Sequence, residues 1–313
     1  MVKGFEFYNK RIVISDDKHG LPYSKGLMAS SIMATGVPPR KAYFVAKLIE
    51  DHLRENRCFS VSIDELRSIT AHLLRERIGE EYAGKYLKWQ SLGKLDKPLI
   101  ILIGGTTGVG KSTIATEIAH RLGITRIVST DAIREVMRVV LSKELMPALY
   151  ESSFSAWQSL RVPLPSASDP VIIGFREQTV AVTVGVKAII ERAIREGLNM
   201  VIEGIHIAPG FLDAEYFKNA FVVHIIIAVE DEDLHRSHFY IREIETEGFR
   251  PFERYRANFG NIRKIGEYIE ELAKQHNTPI ISSRNLDSTV SEVLEVIINK
   301  VIVPERFKEK VAE

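Results

Sequence analysis

The chain has 313 residues, about twice the usual length of a single domain, which predicts two domains, each long enough to bury a core. A composition of 45% hydrophobic and 27% charged residues excludes a disordered or fibrous chain, and 42 basic against 41 acidic residues, a net charge of +1, lacks the basic excess of a nucleic-acid binder. The single cysteine, Cys58, excludes an internal disulfide and a cysteine-based zinc cluster.

No apolar run reaches membrane-spanning length, and residues 1–11 carry no apolar core followed by a small-residue cleavage site, so a soluble cytoplasmic protein is expected, with no membrane or nucleic-acid partner. Residues 6–15 read as two short strands and 16–20 as a turn. A helix opens at Ser24–Lys25–Gly26 and ends near Gly36. The next starts at Pro38 and Pro39, with Ala42, Val45, Ala46, Ile49 and Leu53 at helical spacing. Ser62 followed by Asp64 and Glu65 is a helix start, and a further helix is expected over about 80–89. The polar stretch 92–98, closed by Pro98, is the expected junction between a domain over 1–91 and a second over 99–303.

Beyond Pro98 the pattern changes to alternating strands and helices. Residues 99–103 are apolar without alternation, as in a central parallel strand covered on both faces. Further strands are expected at 126–128, 200–202, 222–229 and 279–281, and helices at 112–122, 132–141, 178–195, 231–245, 252–274 and 290–298. Residues 150–168, with Pro163 and Pro165, read as a loop containing a helix. Residues 301–303 form a short apolar patch with strand character, followed by a polar tail over 304–313. The fold class is α/β, a parallel five-stranded sheet between helices.

The strongest local signal is Gly105–Thr106–Thr107–Gly108–Val109–Gly110–Lys111–Ser112, a complete G-x-x-x-x-G-K-S between the apolar strand and the helix that begins at Thr113. Its glycines let backbone N–H groups wrap a phosphate, Lys111 can reach between β- and γ-phosphates, and the Ser112 hydroxyl suits Mg²⁺. This licenses ATP or GTP with Mg²⁺ but leaves the acceptor open. Asp131 lies at the tip of the second strand, with Arg134 and Arg138 behind it on one side of the following helix. The carboxylate can orient or deprotonate a hydroxyl and the guanidiniums can hold an anion; equally, Asp131 can be an ordinary N-cap and the arginines a solvated face. Glu203 ends the third strand, where an acidic group can sit near Mg²⁺ or its waters, and Gly204 allows close backbone approach. His206 reads either as an acceptor contact or as a structural histidine. Helical spacing puts Arg236 and Arg242 roughly on one side of the helix after the fourth strand, without a single stripe, as lid arginines or as a charged surface face. Arg250, Arg254 and Arg263, near Phe252, Tyr255 and Phe259, can supplement an acceptor pocket.

Residues 98 to about 298 resemble the archaeal 2-phosphoglycerate kinases, P-loop kinases of the nucleotide-kinase-like group. The resemblance lies in Gly105 to Ser112, in Ser129–Thr130–Asp131 with the segment to Arg138, and in Gly174–Phe175–Arg176–Glu177–Gln178. It continues through 185–191 and 201–210, and includes Arg250–Pro251, Arg254–Tyr255 and Asn258–Phe259. Residues 7 to about 89 resemble the ATP-cone module that precedes the kinase domain in that family. The resemblance implies transfer of the ATP γ-phosphoryl group to the 3-hydroxyl of 2-phosphoglycerate, in cyclic 2,3-bisphosphoglycerate biosynthesis of heat-loving archaea. It implies Lys111 and Ser112 for ATP–Mg²⁺, Asp131 for the acceptor hydroxyl, Arg134 and Arg138 for the acceptor's anionic groups, and Arg236 or Arg242 in the lid. The acceptor pocket is expected to draw also on Glu203, Gly204, His206 and Arg254. The cone-like segment reads either as a site for a regulatory nucleotide, with Lys10, Arg11 and Ser24 to Gly26 as contacts, or as a docking or homo-oligomer surface. A kinase for another small anionic metabolite or polyol, and a nucleotide-dependent switch, are the competing functions.

Overall fold

The computed structural model describes residues 12–15, 20–92, 95–161, 163–212 and 217–309. These fall into two compact units. One takes in the described residues up to 95 together with 120–123 and those from 297; the other takes in 96–119 and 124–296.

The first unit holds β1 (Val13–Ser15), β2 (Gly20–Pro22), α1 (Lys25–Met33), α2 (Pro39–Glu55), β3 (Ser60–Ser62), α3 (Ile63–Arg77) and α4 (Glu80–Leu92). Strand β1 is central, antiparallel to β2 and parallel to β3. The helix starts follow the sequence signals. The Ser24 side chain accepts from Leu27 N, Pro39 occupies the first turn of α2, and Ser62 with Glu65 forms a reciprocal capping box. Ile32, Val45, Ile49, Leu53 and Leu74 fill the core. Strand β3 escapes the sequence pattern because only Val61 in it is buried, and three residues show no alternation. Of the expected strand pair and turn, residues 6–11 and 16–19 lie outside the described residues, as do Lys10 and Arg11.

From residue 96 the elements are β4 (Leu99–Gly104), α5 (Lys111–Arg121), β5 (Ile127–Ser129), α6 (Thr130–Val140), α7 (Pro170–Glu196), β6 (Met200–Glu203), β7 (Phe221–Ala228), α8 (Glu232–Glu245), α9 (Phe252–Ala257), α10 (Phe259–Gln275), β8 (Ile280–Ser282) and α11 (Leu286–Glu309). The sheet order is β5-β6-β4-β7-β8, and all four pairings are parallel. Every residue of β4 is buried, as its unbroken apolar run requires. Val182, Val186 and Ile190 of α7 pack with Ile100 and Leu102, while Phe239, Phe259, Ile265 and Ile269 pack with Ile226. The order of connection reverses at β4, whose neighbours β6 and β7 lead to opposite edges. A crevice therefore opens beyond its C-terminal end, the place where open α/β sheets bind ligands.

Three elements differ from expectation. Helix α7 begins at Pro170, well before residue 178, because the Asp169 side chain accepts from Val171 N at 2.9 Å and proline fits the first turn. The helix expected over 252–274 breaks at Asn258. The apolar patch 301–303 is not a strand: α11 continues through it to Glu309, so the start of the expected polar tail is helical. Among the described residues of 150–168 the helical structure is limited to the 3₁₀ turn Ala156–Ser159 and the end of another, Pro147–Tyr150. No helix among the described residues is long and apolar enough to cross a membrane.

Candidate active site

The glycine-rich loop joins the C-terminal end of β4 to α5, with Lys111 as the first helical residue. Gly108 has φ +87, and a Cβ there would overlap the Phe239 ring, so both conformation and space demand glycine. Helix α8 holds the loop from outside. A ring nitrogen of His235 donates to the Thr107 carbonyl and one of His238 to the Gly108 carbonyl, each at 2.8 Å. These two contacts fix the peptides on either side of Gly108, whose N–H groups belong to the segment that cradles a phosphate in such loops. The Thr106 hydroxyl instead donates to the Ile262 carbonyl, and Val109 is buried.

Lys111 is buried, its Nζ donating to the Thr106 carbonyl at 2.6 Å. Burial lowers its proton affinity, while the charges of Glu203 and Asp131 oppose that shift. An anion delivered beside this ammonium offsets its desolvation. Strand register sets Ile103 of β4 against Glu203 of β6, which brings the carboxylate to the loop. Ser112 Oγ donates to Glu203 Oε1 at 3.0 Å. Burial raises the Glu203 pKa, against the lowering influence of Lys111 and Ser112. These two oxygens fit Mg²⁺, which takes few protein ligands and completes its shell with phosphate oxygens and water. Among the described residues no group of three or more His, Cys, Asp or Glu forms an all-protein metal cage.

A cleft of about 700 Å³ lies over the loop, lined by Thr107, Gly108, Gly110, Lys111, Ser112, Thr113, Asp131, Arg134, Arg138, Glu203, Gly204, Arg242, Arg250 and Arg254 of the expected set. Asp131 is not the cap of α6. Ser129 is, its Oγ accepting from Ala132 N at 3.1 Å, which leaves the Asp131 carboxylate 64% exposed at the cleft. Arg134 Nη2 lies 3.7 Å from Asp131 Oδ1, and Arg134 Nη1 donates to the Glu151 carbonyl. Its buried Nε has no hydrogen-bond partner. Arg138 pairs with Glu135 at 2.8 Å and lies over the Tyr150 ring. Arg254 donates to Ser152 Oγ beside Phe154.

The structure separates the two arginines of α8. Six residues turn a helix by about 600°, which leaves them roughly 120° apart rather than on one side. Arg242 reaches the cleft near Tyr255, whereas Arg236 pairs with Glu232 at 3.3 Å, lies over the Phe259 ring and is not among the lining residues. Arg263 is engaged by the Val229 and Glu230 carbonyls. His206 is 1% exposed and also lies off the cleft surface. Gly204 has φ +151, and a Cβ there would overlap the Thr130 hydroxyl.

Glu151, His238 and Arg284, to which the sequence assigned no role, also line the cleft, as do Ser152 to Phe154 of the loop expected over 150–168. Arg284 follows the tip of β8, and the strand-tip rule applied to Asp131 and Glu203 finds it too. Glu151 acts through its backbone carbonyl, which no side-chain pattern signals.

No family model matches the chain. Full-length relatives do. The 2-phosphoglycerate kinase of Methanopyrus kandleri is 42% identical over 298 residues, covering 95% of this chain and 90% of its own. That of Methanothermobacter thermautotrophicus is 43% identical over 90% of this chain and 92% of its own. That of Pyrococcus horikoshii is 41% identical over 93% and 95%.

Proposed function

The chain belongs to the 2-phosphoglycerate kinase family, and we propose that it transfers the γ-phosphoryl group of ATP to the 3-hydroxyl of 2-phosphoglycerate, giving 2,3-bisphosphoglycerate and ADP. The observation that carries this reading is the shared cleft: Asp131 and Arg134 face the same space as Lys111, Ser112 and Glu203.

In this reading the loop amides and Lys111 hold the β- and γ-phosphates, and Lys111 follows the charge as it moves to the transferring group. Ser112 and Glu203 would hold Mg²⁺, which neutralises phosphate charge when bound. Asp131 accepts the proton of the acceptor hydroxyl and aims its oxygen at the γ-phosphorus. Arg134, Arg138 and Arg254 take the acceptor's phosphate and carboxylate. Arg242 is placed to neutralise developing charge from the lid side. Residues 1–91 form an ATP-cone-like module preceding this catalytic domain.

The test offers the full chain Mg²⁺ and ATP with 2-phosphoglycerate, 3-phosphoglycerate, glycerate, uncharged polyols or no acceptor, and identifies product by mass and ³¹P spectra. The expected result is ADP formation matched one-to-one by a doubly phosphorylated acid from 2-phosphoglycerate. Equal ATP hydrolysis with and without every acid, or a best acceptor with no anionic group, refutes the assignment.

A further inference from the structure

A chain of buried side chains runs behind the cleft wall. His206, in the loop after β6, places Nδ1 2.9 Å from Oγ1 of Thr130, the first residue of α6. Its Nε2 lies 2.9 Å from Oε1 of Gln178 on α7. Gln178 is fully buried and donates through Nε2 to the carbonyls of Ala148 and Glu151, at 2.5 and 2.9 Å. The Glu151 carbonyl is the one that also receives Arg134.

The positions of the protons follow from the partners. Two carbonyls accept only, so they need the amide nitrogen of Gln178, and its oxygen is then the atom turned to His206. That oxygen accepts only, so His206 Nε2 carries the hydrogen. Burial pushes the His206 pKa down to about 3, with Asp131 opposing and Arg134 and Lys111 assisting. The ring is therefore neutral, Nδ1 is bare, and the Thr130 hydroxyl donates to it. Each group in the chain is satisfied in this one direction. Gly204 belongs to the same construction, because a side chain there would displace the Thr130 hydroxyl.

We propose that Thr130, His206 and Gln178 are positioning residues for the phosphoryl acceptor: their chain of hydrogen bonds fixes the start of α6, which carries Asp131, relative to the Glu151 carbonyl, which anchors Arg134. The inference rests on the acceptor role given above to Asp131 and Arg134. None of the three touches the acceptor. They hold in register a carboxylate and a guanidinium that belong to one helix but must face a single small molecule, and displacement of a reacting group by about 1 Å costs on the order of a hundredfold in rate. A core network with only a structural role would affect stability and leave the discrimination between substrates alone.

The test compares Thr130→Val, which keeps the shape and removes the donor, with Thr130→Ser, which keeps the donor. The expected result is a fall of about tenfold or more in kcat/KM for 2-phosphoglycerate in T130V, with KM for ATP within about twofold of the parent and most of the loss restored in T130S. Equal efficiency of T130V and parent, or equal losses in T130V and T130S, overturns the proposal. Imidazole ¹⁵N spectra of the parent chain give a reading independent of turnover and of the fate of T130V. The expected His206 signal is the neutral, Nε2-protonated tautomer at pH 6. A charged or Nδ1-protonated ring overturns the proposal even in an active enzyme. Absence of acid phosphorylation by the parent chain, by contrast, removes the proposed function, and the tautomer still decides the hydrogen-bond chain.

Discussion

Asp131→Asn separates catalysis from stability more cleanly than any other change in the cleft. The amide keeps the size of the carboxylate but cannot take a proton. General-base assistance accelerates a step by about 10²–10⁴, so its loss corresponds to roughly 2.7–5.4 kcal/mol of barrier at 1.36 kcal/mol per decade. The cost in stability is small because Ser129, not Asp131, caps α6. What remains is the first-turn interaction with the helix dipole, about 0.3–1 kcal/mol, and the 3.7 Å pair with Arg134, whose carboxylate partner is largely exposed and contributes about 0–1 kcal/mol. In a domain of this size 1 kcal/mol moves the unfolding midpoint by about 2–4 °C. The expectation is a fall of about 10²–10⁴ in kcat at saturating ATP and 2-phosphoglycerate, KM for ATP changed by less than about threefold, and a Tm lowered by a few degrees at most. Steady-state kinetics and calorimetry on one preparation measure all three. A kcat within about threefold of the parent refutes the proton-acceptor role. A large drop in Tm with proportionate loss of active protein refutes the capping argument as well.

Lys111→Ala removes the buried ammonium beside the loop and should abolish most turnover, by about 10² or more, with the cooperative unfolding transition retained; near-parental kcat in folded protein contradicts the assignment. Arg134→Lys keeps the charge but loses the guanidinium that spans Asp131 and the Glu151 carbonyl. It should lower kcat/KM for the acid by about tenfold while KM for ATP holds, and an unchanged ranking across the acceptor panel counts against it. Stability should fall with acid through two buried histidines, His206, pushed down to about 3, and His235, pushed down to about 4, both by burial. Folded-state values below the unfolded 6.5 mean that this stability is complete above pH 6.5 and is lost as the unfolded chain alone takes up protons toward pH 4. The slope approaches about 2.7 kcal/mol per pH unit for two protons, and urea unfolding that is flat between pH 6.5 and 4.5 refutes it. Gly204→Ala should destabilise the fold, because a Cβ at φ +151 meets the Thr130 hydroxyl; an unchanged Tm refutes the contact.

The parts of this site legible from sequence are those whose physics is local. The phosphate loop needs glycines, a lysine and a hydroxyl in one unbroken segment between a strand and a helix, and all of them are neighbours in the chain. The strand-tip carboxylates follow from a second local fact, the apolar run that ends just before each of them. The start of α7 is also local, an Asp169 cap followed by Pro170, and is legible in the sequence; the break at Asn258 is less visible, because neither proline nor glycine stands at it. The pair Asp131 and Arg134 sits one turn apart on α6, so helical spacing alone predicts their meeting.

What holds that pair in place is not local. Glu151 contributes a carbonyl that any residue type would supply. Gln178 stands 30 residues from Ala148, and His206 stands 76 from Thr130; only the order of the sheet, with β5 beside β6, brings them together. A buried histidine and glutamine in sequence read as core filling, because their hydrogen-bond partners cannot be named before the strands are ordered. The sheet order therefore does more than stack the core. By setting Ser129 of β5 against Glu203 of β6, it places the start of the helix proposed to serve the acceptor next to the carboxylate proposed for Mg²⁺. A two-substrate transfer needs that adjacency, and it does not follow from the phosphate loop by itself. Two chains with the same loop but a different neighbour for β6 would bind the same nucleotide and present it to different acceptors.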